Sequence, residues 1–314
     1  MQNLKIKNKK TRILITGGAG YLGFNLYNYF KNDYEITVLD CLTTNVVGKG
    51  QFKFANFYPI DISDFKSLKK IFEKYKPNII IHSAASYSDP NYWIRDIRTN
   101  TIGTINLIKL CEKFGIDKFI YFQTTNCYGS TIKKKIHEKL PLNPNSSYGI
   151  SKASAEEYLQ LSSLPFISLR LCIIYGPWHF NGPIPIFYNN IKNKVHSEIV
   201  STTRQFLFFR DFLNLVKKIL KINTHQSKIF NVGSNETISI EKIFFKIQKI
   251  MNCNDNLFTV KQPSSIDIKA IPLDDSLIRK ELKWKPEYNI DLGLKFMIKW
   301  YEKNRMRKSY SHLK

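Results

Sequence analysis

The run Thr16-Gly17-Gly18-Ala19-Gly20-Tyr21-Leu22-Gly23 restricts the fold of this chain more than any other feature. It follows a short apolar stretch (12–16) and opens an amphipathic one (21–31). A strand feeding a helix through glycines at 17, 20 and 23 permits a tight turn, backbone approach to a pyrophosphate and close helix–strand packing. The first turn of the helix, Tyr21, Leu22 and Gly23, offers N–H groups and the positive end of a dipole to phosphates. Asp40 closes the second apolar run, where an acid hydrogen-bonds the hydroxyls of an adenosine ribose. A carboxylate there repels a 2′-phosphate and no arginine follows at once, so the pattern selects NAD over NADP.

Short apolar runs alternate with helical periodicity through the first half of the chain. Strands are expected at 12–16, 35–40, 78–82, 118–124 and 166–171, and helices at 21–31, 64–75, 98–114 and 147–161. After Gly176-Pro177 the rhythm loosens, with a helix near 186–192 and one more strand of the main sheet at 227–232. From 238 onward the pattern reads as helices joined by Pro-containing links. The expected fold is α/β, a Rossmann-type doubly wound parallel sheet with a smaller C-terminal substrate-binding lobe. Residues 1–174, with 203–238 returning, would form the dinucleotide domain, and 175–202 with 239–314 the lobe.

A second constellation is Tyr148-Gly149-Ile150-Ser151-Lys152. Residues four apart share a helix face. A phenol ionises near pH ~10, too high for a base at neutral pH. A neighbouring ammonium and a positive nicotinamide ring favour the phenolate, and a shift of roughly three units needs about 4 kcal/mol. The group then enters the useful range for acid–base work.

These motifs, taken with others in order, resemble the extended short-chain dehydrogenase/reductase family, specifically its nucleotide-sugar epimerases and dehydratases. The others are Ile79-Ile80-Ile81-His82-Ser83-Ala84-Ala85, Asn100-x-x-Gly103-Thr104-x-Asn106-Leu107, Tyr128-Gly129, Leu169-Arg170-Leu171 with Tyr175-Gly176-Pro177, Asn231-Val232-Gly233 and Leu282-x-Trp284-x-Pro286. Within the family the chain is similar to sugar epimerases of bacterial O-antigen clusters through residues 82–90, 145–148 and 310–314. The resemblance implies that Tyr148 is the acid/base, that Lys152 binds the nicotinamide ribose and tunes it, and that Thr124 hydrogen-bonds the reacting sugar hydroxyl. It further implies that Asp61 and Ile62 flank the adenine, and that small Ala84 and Ala85 let backbone approach the cofactor. Asn100 would support the active-site helix beside the cofactor. Arg204 would grip the substrate diphosphate, its planar fork suited to phosphate oxygens. Where the family carries an Asn three residues after Arg170, this chain has Ile173, so either Asn181 or backbone near Gly182 compensates or the substrate sits differently.

The family's 4,6-dehydratases place an Asp-Glu pair after the threonine, whereas this chain has Thr125 and Asn126, and neither titrates usefully. Related 3,5-epimerases place a cysteine at the position of Asn126; Cys127 is one place further and, along a strand, would face the other way. The expectation is therefore epimerisation at C4 of a nucleotide-diphosphate hexose. The alternatives are a 4-ketosugar reductase using NAD(P)H and a non-catalytic dinucleotide- or RNA-binding relative.

Lys+Arg of 48 against Asp+Glu of 25 gives a net charge of +23, but the lysines are scattered, so no nucleic-acid partner is expected. No apolar run approaches the ~20 residues that span a bilayer, and no secretory leader pattern occurs. Five cysteines without paired spacing argue for a reducing cytoplasm and against zinc. His179 and His196 have no carboxylate or cysteine at ligand spacing and read as loop or surface residues. The apolar faces of 98–114 and 147–161 resemble the pair through which the family forms homodimers.

Overall fold

The computed structural model describes residues 10–43, 53–87, 91–129, 135–222, 226–263 and 272–304. Residues 88–90 and 310–314, which carry part of the resemblance, lie outside that set.

The first half runs β1 (Arg12–Thr16), α1 (Tyr21–Phe30), β2 (Glu35–Leu39), β3 (Phe57–Tyr58), α2 (Phe65–Tyr75) and β4 (Ile79–His82). Next come α3 (Trp93–Asp96), a π-helical turn (Ile97–Ile102) that continues into α4 (Gly103–Phe114), and β5 (Lys118–Thr124). A 3₁₀ turn (Thr125–Tyr128) follows, then α5 (Ser147–Leu161), β6 (Phe166–Leu171) and β7 (Ile173–Tyr175). The second half adds α6 (Pro183–Lys192), β8 (Ser197–Val200), β9 (Thr203–Phe208), α7 (Phe209–Lys221), β10 (Lys228–Val232) and β11 (Thr237–Ser239). It closes with α8 (Ile240–Ile250), β12 (Phe258–Lys261), α9 (Ser276–Leu282) and α10 (Ile290–Lys303).

Seven strands pair in parallel in the order β10-β6-β5-β4-β1-β2-β3. The order reverses between β1 and β4, the switch point at which doubly wound sheets open a crevice. Successive residues of one strand serve opposite faces: Ile13 and Ile15 join the core under α1 and α7, while Leu14 joins the core under α2, α4 and α5. Both faces are covered, which is why these strands read as continuous apolar runs.

Helix caps follow the sequence. Asp64 accepts from the Ser67 amide ahead of α2, and Ser146 from the Gly149 amide ahead of α5. The helix expected over 98–114 starts earlier, at Trp93, because Ile94 and Ile97 sit on its exposed side and blur the amphipathic pattern. In the second half β10 joins the main sheet as expected. β9, in contrast, pairs with β7 and β11 in a separate three-stranded sheet, and β8 pairs with β12. The strands β8, β9, β11 and β12 were not legible, being short and paired to segments far along the chain. A third core gathers α6, α8 and α10, whereas Ile278, Leu282 and Trp284 of the α9 region pack into the main core. No helix among the described residues is long and apolar enough to cross a membrane.

Candidate active site

The cradle forms where β1 and β4 end side by side. Gly17 has φ of +66°, and a Cβ on it would lie 2.5 Å from the Ala84 backbone. A side chain is thus excluded twice, by conformation and by contact. Gly23, in helical conformation, is fixed by contact alone: a Cβ on it would lie 2.5 Å from the Gly17 oxygen. Gly20 differs: its Cβ would meet only that oxygen, at 3.2 Å, so internal packing hardly demands a glycine there. What Gly20 keeps open is a cavity of about 890 Å³, which it lines together with Asp40, Asp61, Ile62, Ala84 and Ala85. Gly20 also caps α1, so the amides of Tyr21, Leu22 and Gly23 have no earlier helical acceptor. The Tyr21 side chain turns away and donates to the Ile174 carbonyl at 2.7 Å.

Asp40 accepts from the Ala19 amide at 2.9 Å and the Leu42 amide at 2.7 Å, holding the glycine loop against β2. Burial raises its carboxyl, and these backbone bonds work against that rise. Asp61 accepts from the Ser63 amide at 2.8 Å, and Ile62 packs where a Cβ on Gly103 would lie 2.5 Å from it. Asn100, fully buried, reaches the cavity wall through Ser86: its Oδ1 accepts from the Ser86 amide at 2.7 Å and its Nδ2 donates to the Ser86 carbonyl at 3.1 Å. The same Nδ2 donates to Ser151 Oγ on α5 at 3.0 Å.

His82 connects these parts. Thr104 Oγ1 donates to the Asn100 carbonyl at 2.5 Å, so toward His82 it accepts, from Nε2 at 2.8 Å. Nδ1 then accepts from Thr16 Oγ1 at 2.7 Å, and that oxygen accepts from the Ala84 amide. Burial, and then the Lys152 charge, hold this imidazole well below its ordinary pKa, so it is a neutral structural link.

Across the sheet edge, Tyr148 sits half-buried on the first turn of α5 and is hydrogen-bonded with Thr124 at the end of β5. Lys152, 1% exposed, places Nζ 3.9 Å from the centre of the Tyr121 ring. Burial raises the Tyr148 phenol above its ordinary value; Tyr87 and Asp96 add to the rise, and the Thr124 hydrogen bond opposes it. Burial brings Lys152 down to about 7, against the pull of Glu156. The expected phenolate rests on the ammonium together with a positive nicotinamide ring; with the protein groups alone, burial holds the phenol above its ordinary value. Both groups lose water, and the ammonium lies over Tyr121.

The three residues are held in mutual register. The Lys152 carbonyl accepts from Gln123 Nε2 at 2.8 Å and from Tyr121 Oη at 3.0 Å, while Gln123 Oε1 accepts from the Thr124 amide at 2.9 Å. Behind them Glu156 receives Arg170 through Nε at 3.0 Å and Nη2 at 2.5 Å, and also the Ser168 hydroxyl. Arg170 Nη1 donates to Tyr128 Oη at 2.8 Å, which donates on to Asn231 Oδ1 at 2.7 Å. Thr125 and Asn126 occupy the 3₁₀ turn, where the Asn126 amide donates to Thr124 Oγ1 at 3.2 Å. Cys127 is fully buried, but by this tight turn and not by strand alternation as expected.

On the other lobe, Arg204 of β9 donates to the Thr203 carbonyl at 2.8 Å. Its charge acts on Tyr87, a residue 43% exposed as a whole; loss of water around its hydroxyl raises the phenol and Arg204 draws it down. Tyr87 in turn lies against Tyr148, ring centres 4.3 Å apart. Arg204, Tyr87 and Tyr148 thus form one succession. Asn181 lies on the loop before α6, and Ile173 packs at the edge of the lobe core. His179 is in that loop but 8% exposed, its ring 4.6 Å from Tyr21. Among the described residues no three His, Cys, Asp or Glu stand where they could hold a metal.

Sequence reasoning missed Ser86, Tyr87, Asp96 and Gln123. Ser86 and Tyr87 follow directly on Ala84-Ala85, and Gln123 is polar within an apolar strand; those were the available signals. Ser86 also completes the fit to a dinucleotide. It lines the cavity, is 4% exposed, and its Oγ has no hydrogen-bond partner among the described residues. Together with the space left by Gly20 and the acid at 40, the cavity has the donors, room and carboxylate that NAD requires.

The NAD dependent epimerase/dehydratase family matches residues 13–233. The chain is 33% identical to the Bordetella bronchiseptica enzyme WbmG, solved in complex with NAD and UDP, with a TM-score of 0.90 over 98% of this chain and 99% of that one. It is 30% identical to a putative UDP-glucose 4-epimerase of Methanocaldococcus jannaschii, over 93% of this chain and 99% of the relative. The human dTDP-D-glucose 4,6-dehydratase is 27% identical over 93% of this chain and 90% of its own. The chain belongs to the NAD-dependent epimerase/dehydratase family, and its cofactor is NAD.

Proposed function

We propose that the chain is a UDP-hexose 4-epimerase, inverting C4 through a transient 4-keto sugar to supply precursors of a surface polysaccharide. The observation that carries this reading is the Thr124–Tyr148–Lys152 group, held at the end of the sheet next to a dinucleotide cavity with no carboxylic acid at 125 or 126. Elimination of water needs an acid and base of its own, and Thr125 and Asn126 supply neither. That favours epimerisation over the dehydratase chemistry of the human relative. The NAD and UDP of the WbmG complex, and the name of the archaeal relative, favour a UDP-sugar.

Bound NAD supplies a positive ring that favours the phenolate and accepts and returns one hydride. Tyr148 takes the proton of the C4 hydroxyl and later gives it back, while Thr124 holds that oxygen. Lys152 orients the nicotinamide ribose. Arg204 and Asn181 hold the diphosphate side of the substrate, so that the tethered ketone turns over without leaving. Residues 1–174 with β10 serve the dinucleotide, while β9 and β11, expected to return with them, join 175–202 and 239–314 in serving the sugar nucleotide.

Two copies would pair through the helix running from α3 to α4 and through α5. Ile94, Ile97 and Ile102 on the first, and Ile150, Tyr158 and Leu161 on the second, are exposed apolar side chains. Such a cluster suits a second copy of the same face.

The test is turnover of UDP-glucose and UDP-N-acetylglucosamine followed by NMR. A C4-inverted product from the wild type, and none from Tyr148→Phe with NAD still bound, is expected. Full activity in Tyr148→Phe removes the assignment; no inversion of these hexoses, with NADH consumed in step with product when a UDP-4-ketohexose is supplied instead, selects the 4-ketosugar reductase.

A further inference from the structure

Ser86 lies just past the end of β4, two residues beyond the Ala84 backbone that Gly17 approaches, and it lines the same cavity as Gly17, Gly20 and Asp40. It is 4% exposed, and its Oγ has no hydrogen-bond partner among the described residues. A buried hydroxyl that bonds nothing is costly, and native folds seldom keep one without a use for it.

The backbone that carries this hydroxyl is held firmly. Asn100, itself fully buried, grips Ser86 twice: Oδ1 accepts from the Ser86 amide at 2.7 Å and Nδ2 donates to the Ser86 carbonyl at 3.1 Å. Asn100 is fixed in turn. Its Nδ2 also donates to Ser151 Oγ on α5 at 3.0 Å, and its carbonyl accepts from Thr104 Oγ1 at 2.5 Å. The amide and carbonyl of Ser86 are thus satisfied within the protein, and the side-chain hydroxyl is left over. A serine hydroxyl swings between staggered positions about one bond, so meeting a partner in the cavity asks nothing of the backbone. The neighbouring wall indicates the chemistry of that partner. Gly17 and Gly20 belong to the turn that lets backbone approach a pyrophosphate, and Ala84 and Ala85 add little bulk beside it. A hydroxyl there is a donor suited to phosphate and ribose oxygens.

We propose that Ser86 is a binding residue for NAD: its hydroxyl donates to a sugar–phosphate oxygen of the dinucleotide, presented by the two bonds from Asn100. Without the cofactor that donor is unpaired, and binding relieves its cost, which adds to the retention of NAD. The proposal rests on NAD as the cofactor and not on the sugar chemistry.

The test is calorimetric titration of the full chain with NAD and with ADP-ribose, which keeps both phosphates and both riboses and lacks the nicotinamide. Ser86→Ala is expected to weaken both ligands about tenfold. Its thermal unfolding without ligand should stay at or above that of the wild type, because the hydroxyl it removes bonds nothing in the protein. Affinity for NAD within twofold of the wild type overturns the proposal. So does a loss confined to NAD, which moves the contact to the nicotinamide. A marked fall in the unfolding temperature without ligand overturns it as well, since the hydroxyl is then a structural one. No sugar enters the titration, so its failure leaves the epimerase reading standing, and the reverse.

Discussion

On one side of the sheet edge the dinucleotide cradle is made by leaving side chains out; on the other, the Thr124–Tyr148–Lys152 group is made by packing polar side chains in. Gly17, Gly20, Gly23, Ala84 and Ala85 let backbone meet backbone or ligand, and the chain that forms them is nearly continuous. The side of the Thr124–Tyr148–Lys152 group draws on β5, β6, β10 and α5, joined by buried bonds such as Arg170–Glu156 and Tyr128–Asn231. The difference teaches where damage should go. A change in the cradle should be felt mainly by the cofactor, whereas a change under the Thr124–Tyr148–Lys152 group, proposed as catalytic, should cost stability and turnover together.

The largest effect is expected at the buried ion pair. Glu156→Gln leaves the Arg170 guanidinium without its counter-charge in an apolar setting and should lower unfolding free energy by about 3–5 kcal/mol, measured by urea denaturation. A loss under about 1 kcal/mol would show that this side of the edge is not held by charge. Within the cradle, Gly17→Ala should be the more damaging of two glycine changes. It forces a side chain to a positive φ and onto the Ala84 backbone, at a cost of about 1–3 kcal/mol. Gly20→Ala should leave thermal unfolding close to wild type and weaken NAD about tenfold, or about 1.4 kcal/mol, by calorimetry. Equal effects of the two on stability would erase the distinction drawn between internal packing and ligand space.

The remaining effect is a pH dependence. Lys152 has a folded-state pKa of about 7, below its unfolded value near ~10.4, so the unfolded chain binds more protons between those values. The stability contribution of Lys152 is therefore complete above the unfolded value and is lost as pH falls toward 7. Lys152→Met should raise Tm by a few degrees at neutral pH, and the advantage should shrink as pH rises toward 10. An advantage that does not change with pH would mean that the ammonium is solvated.

The same contrast explains what the sequence made legible. β1, β5, β6 and α5 fall at their expected bounds because each is a local pattern: an apolar run of strand length, or a capped amphipathic helix. The glycine loop, Asp40 and the Tyr148–Lys152 spacing are local in the same sense. The clamp of Gln123 on the Lys152 carbonyl, the placement of Tyr87 between Arg204 and Tyr148, and the pairing of β9 with β7 and β11 depend on segments far apart in the chain. No window of residues carries them. For Tyr148, spacing gives the neighbour but not the burial, and among the protein groups burial is the larger influence on its phenol.

The most direct measurement is the fate of deuterium at C4. UDP-glucose deuterated at that carbon, incubated with the NAD-loaded enzyme, should give a C4-inverted product that retains the label at C4, with no build-up of reduced nicotinamide. Loss of the label from C4, or reduced nicotinamide accumulating in step with product, would contradict a hydride removed and returned within one site.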